Sequence, residues 1–155
     1  MVQRIDALEK DNNSLILRIN NMEQRSQSNR LRFFGLGDIK DDDLTAGIAQ
    51  ISTTKMKKRP ADIKIDYCYQ IAGASSKNLS DRNMKSPVVV HFSSTASRDL
   101  VFKNKSNLRG TKVVISEDLT KCNYELLKRS KLKLGNSNVW SSYGRVFGRS
   151  GKTIQ

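Results

Sequence analysis

The sequence predicts an α+β protein: an N-terminal parallel coiled coil, followed by a central βαββαβ domain and a small α/β C-terminal domain. Three observations support this. Apolar residues recur about every 3.5 positions in the first stretch, short apolar strands then alternate with amphipathic helices, and a basic helix with a β-meander completes the chain. The predicted domains are a stalk at residues 1–28, a central domain at 30–116 and a C-terminal domain at 117–155.

The stalk has the heptad pattern of a coiled coil. With Ile5 at position a, apolar residues occupy most a and d positions. Arg4 and Arg18 at g face Glu9 and Glu23 at e, and these charges have the signs that pair between helices. The predicted oligomerisation residues are Arg4, Ile5, Leu8, Glu9, Asn12, Leu15, Arg18, Ile19, Met22 and Glu23.

Two features of the stalk favour different oligomers. The pattern Arg-apolar-x-x-apolar-Glu occurs at residues 4–9 and again at 18–23, and it is similar to the trimerisation motif of short three-stranded coiled coils. Leucine at d with Asn12 at a favours a parallel dimer instead. We expect a homotrimer, with a dimer as second choice. A lone amphipathic helix packed on its own domain is the third interpretation.

The charge balance predicts a polyanionic partner. The chain has 28 Lys and Arg residues against 15 Asp and Glu, a net charge of +13, while the stalk is neutral. Residues 30–116 and 117–155 are both basic, so the excess is not confined to a tail. A solvated basic surface without a partner is the alternative.

Cysteine usage and hydropathy predict an intracellular protein. Cys68 and Cys122 lie in apolar patterns and are predicted to be reduced, buried thiols. No window reaches 18 apolar residues, and no signal peptide is visible. We expect a soluble cytoplasmic ribonucleoprotein with no membrane partner, with the nucleus as a second compartment.

The central domain has the predicted order strand, helix, strand, strand, helix, strand. This order is the ferredoxin-like arrangement used by RNA-recognition modules. A basic cluster, Lys55–Arg59, lies at the end of the first helix, where it either complements the helix macrodipole or contacts phosphate. The strands are predicted at residues 31–37, 62–71, 88–92 and 112–116, and the helices at 41–59 and 95–107.

The second predicted strand has one apolar face, because an apolar or aromatic residue stands at every second position. These residues are Ile63, Ile65, Tyr67, Tyr69 and Ile71. Both tyrosines are therefore expected in the core. The third strand lacks the Gly-aromatic pattern of an ordinary RNA-recognition module, so base stacking on the sheet is not expected.

In the C-terminal domain, Asp118 or Thr120 begins a basic helix that Gly135 ends. Three short strands are expected after it, at residues 139–143, 144–148 and 152–154. Because the chain stops within the last of these, we expect a longer C-terminal domain in the natural protein.

Several short motifs carry a family resemblance. The repeated Arg-x-x-x-x-Glu of the stalk is followed by Leu-Arg-Phe-Phe-Gly-Leu at 31–36, Tyr-Cys-Tyr-Gln-Ile-Ala-Gly at 67–73 and Ile-Ser-Glu-Asp-Leu-Thr at 115–120. Together they resemble the first-open-reading-frame protein of LINE-type non-LTR retrotransposons, and the C-terminal domain resembles that of the baculovirus few-polyhedra (FP) protein. The resemblance implies a trimeric nucleic-acid chaperone that coats the RNA of its own element.

We expect this chain to bind single-stranded RNA, with DNA as the alternative, in a cationic groove between the two small domains. Trp140 and Tyr143 are the predicted stacking residues, although Trp140 fits equally well as the core of the meander. The predicted nucleic-acid contacts are Arg30, Arg32, Arg82, Lys85, Lys128, Lys131, Trp140, Tyr143, Arg145 and Arg149.

The sequence shows no catalytic constellation. His91, the only histidine, lies among valines and is expected to be a core residue. No Cys or His cluster has zinc spacing, and Gly151-Lys152-Thr153 fails as a phosphate-binding loop because Val146 stands where the first glycine is required. We expect no enzyme activity, cofactor or small-molecule substrate. The alternative function is a viral FP-type coiled-coil interaction or assembly protein.

Overall fold

The computed structural model of the chain describes residues 2–36, 44–71 and 87–149. It confirms a mixed α+β fold with a long N-terminal helix and antiparallel sheets. The chain divides into two compact units. The stalk unit combines Met1–Ser28 with Leu119–Gln155, and the sheet unit is Asn29–Asp118.

The sheet unit contains four strands and two α-helices among its described residues, in the predicted order. All strand pairs are antiparallel, and the strand order is β2-β3-β1-β4. Its elements are β1 Arg30–Phe34, α2 Leu44–Thr54, β2 Ile65–Gln70, β3 Val88–Phe92, α3 Thr95–Lys103 and β4 Val114–Glu117, with short 3₁₀ turns at Pro60–Asp62 and Lys105–Leu108.

One face of this sheet packs on the two helices. Along β1, Leu31 and Phe33 are fully buried, whereas Arg30 and Arg32 lie on the opposite face and are partly exposed. The opposite face is called the open face below. The helix-side core contains Leu31, Phe33, Leu44, Ile48, Met56, Ile63, Val88, Val90, Phe92, Val101, Leu108 and Ile115.

The prediction that Tyr67 and Tyr69 lie in the core is wrong. Ile65 pairs with Phe92 and Tyr67 pairs with His91, so β2 advances two residues while β3 advances one. This irregularity shifts the alternation of β2, and Cys68 packs against the core instead of the tyrosines. Tyr67 and Tyr69 are 47% and 43% exposed on the open face.

Both helices of the sheet unit end earlier than predicted, α2 at Thr54 and α3 at Lys103, whereas α3 begins at Thr95 as predicted. Ser94 caps α3, its side chain accepting a hydrogen bond from Ser97 N. Helix α2 ends at Thr54, so the basic cluster Lys55–Arg59 follows the helix and is not its last turn. The predicted start of that helix at Asp41 lies outside the described residues.

The stalk unit is formed by α1 Val2–Ser26, α4 Lys121–Leu134, a 3₁₀ turn at Asn136–Asn138 and the hairpin of β5 Val139–Ser142 with β6 Arg145–Gly148. Of the two predicted starts, Asp118 and Thr120, it is Thr120 that caps α4, by accepting a hydrogen bond from Asn123 N. The third predicted strand, at residues 152–154, lies outside the described residues.

A buried polar network joins the end of α1 to the start of α4. Asn20 Nδ2 donates to Asn123 Oδ1 at 3.0 Å, and Thr120 Oγ1 donates to Asn20 Oδ1 at 2.6 Å. Gln24 Oε1 accepts from Thr120 N at 2.9 Å and from Asn123 Nδ2 at 3.0 Å. Asn20, Thr120 and Asn123 are buried, so these bonds replace water that the groups would otherwise bind.

The hairpin turn contributes to the same network. Asn123 Nδ2 donates to Gly144 O at 3.0 Å. Gly144 has a φ of +78°, and a Cβ at this position would collide with the side chain of Gln24. Tyr143 precedes it with a φ of +50°, so the two-residue turn needs glycine both for its backbone and for space.

Replacing Asn20 with alanine should destabilise the stalk unit by ~2 kcal/mol, because Asn123 and Thr120 each lose a buried hydrogen-bond partner. The neighbouring Asn21 is exposed, and Asn21→Ala is the matched control. Urea unfolding at fixed protein concentration, followed by the fluorescence of Trp140, reports on this unit because the chain has no other tryptophan. Equal midpoints for the two variants would contradict a stabilising network.

Both cysteines are free thiols, but neither is fully buried. Cys68 is partly exposed, and its Sγ lies 3.1 Å from Thr45 Oγ1. Cys122 is exposed on α4. The prediction of buried thiols is therefore wrong for Cys122, because it lies on the solvent face of its helix.

No helix in the described part of the chain is long and apolar enough to cross a membrane.

Candidate nucleic-acid interface

The hairpin of the stalk unit has one buried and one outward face. Val139 and Val146 are buried, whereas Trp140 is exposed and pairs across the strands with Phe147. The two ring centroids are 6.2 Å apart and the rings are nearly parallel, at 16°. Trp140 was predicted either as a stacking residue or as the core of the meander, and the structure places it on the outward face. Phe147 was missed, although its pairing with Trp140 completes a flat apolar surface on which a base can stack.

Cationic side chains flank this aromatic pair. Arg145 pairs with Ser142 in the next outward-facing position of the hairpin, and it is exposed. Arg149 follows β6, and its Nη1 donates to Asn138 Oδ1 at 3.2 Å. Tyr143 is exposed at the turn between the strands. Four of the predicted contact residues thus belong to a single hairpin.

Helix α4 adds positive charge to the same unit. Lys128 is exposed on it and Lys131 is half-buried. Residues 119–149 contain seven basic side chains and one acidic one. Such an excess attracts polyanions over a distance of about a Debye length, about 8–10 Å at moderate salt.

The predicted contacts Arg30 and Arg32 lie on the open face of the sheet unit and share one carboxylate. Arg32 Nε donates to Asp118 Oδ1 at 2.7 Å, and Arg30 Nη1 lies 3.9 Å from Asp118 Oδ2. Asp118 is buried. The carboxylate binds the guanidinium group of Arg32 and balances one of the two charges, so the three groups together keep a net positive charge.

The open face also carries three stacked rings. The ring centroids of Tyr67 and His91 are 4.8 Å apart at an interplanar angle of 10°, and those of Tyr67 and Tyr69 are 6.3 Å apart at 18°. The prediction of His91 as a core residue is wrong. It lies half-buried on the open face, with Nδ1 3.5 Å from Asp66 Oδ2.

The residues of α1 that were predicted to form a coiled-coil seam are exposed. Its apolar a and d residues Ile5, Leu8, Leu15, Ile19 and Met22 are each more than half exposed. Asn20 and Gln24, which occupy the b and f positions of the heptad, hydrogen-bond to α4 and its cap. The polar network and the apolar seam therefore use different sides of the helix, and the seam stays available to a second helix.

The two units divide the predicted contact residues between them. Arg30 and Arg32 belong to the sheet unit, whereas Lys128, Lys131, Trp140, Tyr143, Arg145 and Arg149 belong to the stalk unit. Arg82 and Lys85 lie outside the described residues. The groove between the domains stays a prediction.

Within the described ranges, no three His, Cys, Asp or Glu side chains gather in an arrangement that could hold a metal ion. Neither a family model nor a curated protein matches the chain.

Proposed function

We propose that the chain is a non-enzymatic, homotrimeric protein that binds single-stranded RNA with little sequence preference and acts as the nucleic-acid chaperone of a retroelement ribonucleoprotein. The observation that carries this proposal is the outward Trp140–Phe147 pair beside Arg145, in a strongly basic unit. Aromatic faces and guanidinium groups together suit unpaired bases on a charged backbone.

The sheet unit supports the same proposal. Its element order and its strand order β2-β3-β1-β4 fit a ferredoxin-like module of the RNA-recognition type. Many functions share this fold, so the support comes mainly from the side chains of the open face and the hairpin. The resemblance to LINE-type proteins supports a retroelement RNA as the bound strand.

The exposed seam of α1 supports self-association into a parallel coiled-coil trimer. Each protomer alone would bind weakly, mainly through phosphate contacts. Three protomers on one stalk raise the effective concentration of binding surfaces and increase the affinity by about 100-fold. Many weak contacts that exchange rapidly allow strands to separate and pair again, which annealing requires.

Binding should weaken steeply with salt, and Arg145→Gln should reduce both the affinity and this dependence. Each phosphate contact to a single strand contributes a slope of about −0.7 in log K against log salt. Losing Arg145 should lower the slope by about that amount per protomer bound. A fluorescence-anisotropy titration of a labelled RNA strand at several salt concentrations measures both quantities.

Arg109→Gln is the matched control, since Arg109 is also exposed but follows the 3₁₀ turn Lys105–Leu108 in the sheet unit. It should leave the salt slope unchanged. A wild-type slope near zero would contradict phosphate-driven binding altogether.

The exposed seam also supports a second candidate, a protein that engages foreign coiled coils in the manner of the FP protein. Ile5→Asp combined with Leu8→Asp distinguishes the two. If the double variant no longer binds a partner protein but keeps its affinity for nucleic acid, the second candidate is favoured. If its affinity for nucleic acid falls, the trimeric chaperone is favoured.

A further inference from the structure

The three-ring stack on the open face is not used by the phosphate contacts of the proposed function. Tyr67 and Tyr69 are exposed aromatic side chains of the sheet unit, at 47% and 43%. Tyr67 lies between Tyr69 and His91, with all three ring planes within 18° of their neighbours. Since more than 40% of each tyrosine is exposed, part of the stack is accessible to another planar group.

The bulge in β2 is what aims the tyrosines outward. Without the shift between Ile65 and Tyr67, the alternation begun by Ile65 would direct Tyr67 and Tyr69 into the core and Cys68 outward. Burying two aromatic rings would remove more apolar surface from water than burying one thiol. The bulge therefore leaves the protein without the stabilisation that burial of the two rings would give. Bulges are frequent next to functional sites, where they change the direction of a side chain.

The strand register places cations beside the stack. Tyr67, His91 and Arg30 form one row across β2, β3 and β1, and the next row contains Tyr69, Val89 and Arg32. Neighbouring strands are about 4.8 Å apart, so the Cα atom of each arginine lies about 10 Å from that of the tyrosine in its row. Each row thus contains a tyrosine and, two strands away, an arginine whose guanidinium group lies at Asp118.

We propose that Tyr67, Tyr69 and His91 form a stacking subsite for unpaired bases of a single-stranded nucleic acid. This inference rests on the proposed function and deepens it, because it names what the sheet unit recognises. In a duplex the faces of paired bases are covered by their neighbours, so a stack of this kind selects single strands.

The local charges predict that this subsite reads bases and contributes little to salt dependence. Asp118 balances one charge of the Arg30 and Arg32 pair. Asp66 lies beside His91 and accepts a hydrogen bond from Ser93 Oγ at 2.5 Å, so negative charge is also present near the stack. Affinity gained here should therefore depend on bases, whereas the basic hairpin and α4 supply the phosphate contacts.

The test uses the full chain and two probes of equal length: single-stranded oligothymidine, and a strand with the same phosphates but abasic sugars. Tyr67→Ala combined with Tyr69→Ala should weaken oligothymidine binding about tenfold or more. Binding of the abasic strand and the salt slope should stay unchanged. The matched variant Tyr67→Phe with Tyr69→Phe keeps both rings and should bind oligothymidine as the wild type does.

The outcomes separate this inference from the proposed function. Wild-type affinity of the alanine variant for oligothymidine overturns the subsite while leaving the chaperone proposal standing. If the alanine variant loses the same affinity for both probes, the tyrosines stabilise the fold and do not bind bases. This result also overturns the subsite. Failure of the wild type to bind either probe, or a labelled single-stranded RNA of the same length, at low salt overturns both proposals.

Discussion

Leu15→Asp should convert the proposed trimer into a monomer and weaken RNA binding by about 100-fold. Leu15 occupies a d position and is 52% exposed on α1, so in a trimer three copies meet on the axis. The substitution removes three leucines from a seam of fewer than four heptads, each contributing ~2 kcal/mol on burial. It also places three carboxylates together in an apolar environment, which is strongly unfavourable.

The structure provides a close control two residues away. Leu17 is 54% exposed but occupies an f position, outside the seam. Leu17→Asp makes the same chemical change on the same helix and should leave the trimer intact. Light scattering coupled to size-exclusion chromatography measures the mass, and an anisotropy titration of the same samples measures the affinity.

The two readouts test self-association and avidity separately. A wild-type mass of two protomers supports the dimer that Asn12 favours, and a monomeric wild type removes the basis for avidity. A monomeric Leu15→Asp variant that binds RNA as tightly as the wild type would show that the stalk serves another purpose. Only loss of mass together with loss of affinity supports the proposed mechanism.

The elements that depend on local pattern could be predicted from the sequence. The helical stretch of α1, the strand at β1 and the cap of α4 at Thr120 all depend on neighbours within one or two turns. Such patterns are present in the chain before it folds. For this reason the order of the elements was predicted more accurately than which side of each element is buried.

The errors arose where a face depends on distant pairing. The alternation from Ile63 to Ile71 is regular in the sequence, and the bulge after Ile65 exists only in the pairing of β2 with β3. Asp118, which holds Arg32, is 86 residues away from it in sequence. For the hairpin, the strands Val-Trp-Ser-Ser and Arg-Val-Phe-Gly each offer two plausible buried faces, and the packing of α4 decides between them.

A signal for the polar network was nevertheless present. Asn20 and Gln24 lie outside the predicted seam, one turn apart on one side of α1. Amide side chains at that spacing suit a second, polar contact of the same helix. Their partners Thr120 and Asn123 form the cap of α4, which was itself predictable. What local pattern could not supply was the pairing between segments about 100 residues apart.

Arg98→Ala should destabilise the sheet unit by about 3–5 kcal/mol. Arg98 on α3 is buried, and its Nη2 donates to the buried carboxylate of Glu117 on β4. Its Nη1 also donates to Asp99 Oδ1 at 2.9 Å, and its guanidinium group lies 5.0 Å from the ring centroid of Phe102. Removing the arginine leaves the charge of Glu117 without its principal counterion in a low-dielectric environment.

The exposed ion pair of the same unit provides the control. Arg59 Nε lies 3.0 Å from Asp62 Oδ2, and both side chains are exposed. Water screens this pair, so Arg59→Ala should cost less than about 1 kcal/mol. Hydrogen–deuterium exchange of the β3 amides, measured by mass spectrometry, gives the opening free energy of the sheet unit for both variants.

A third variant separates the contribution of the pair from the cost of leaving one charge behind. Arg98→Met combined with Glu117→Leu replaces both partners with apolar groups of similar size, so neither charge of the pair is left buried alone. If the cost of desolvating the two charges offsets most of their attraction, this double variant should be much more stable than Arg98→Ala and close to the wild type. A double variant as unstable as Arg98→Ala would instead show that the ion pair itself stabilises the junction of α3 and β4.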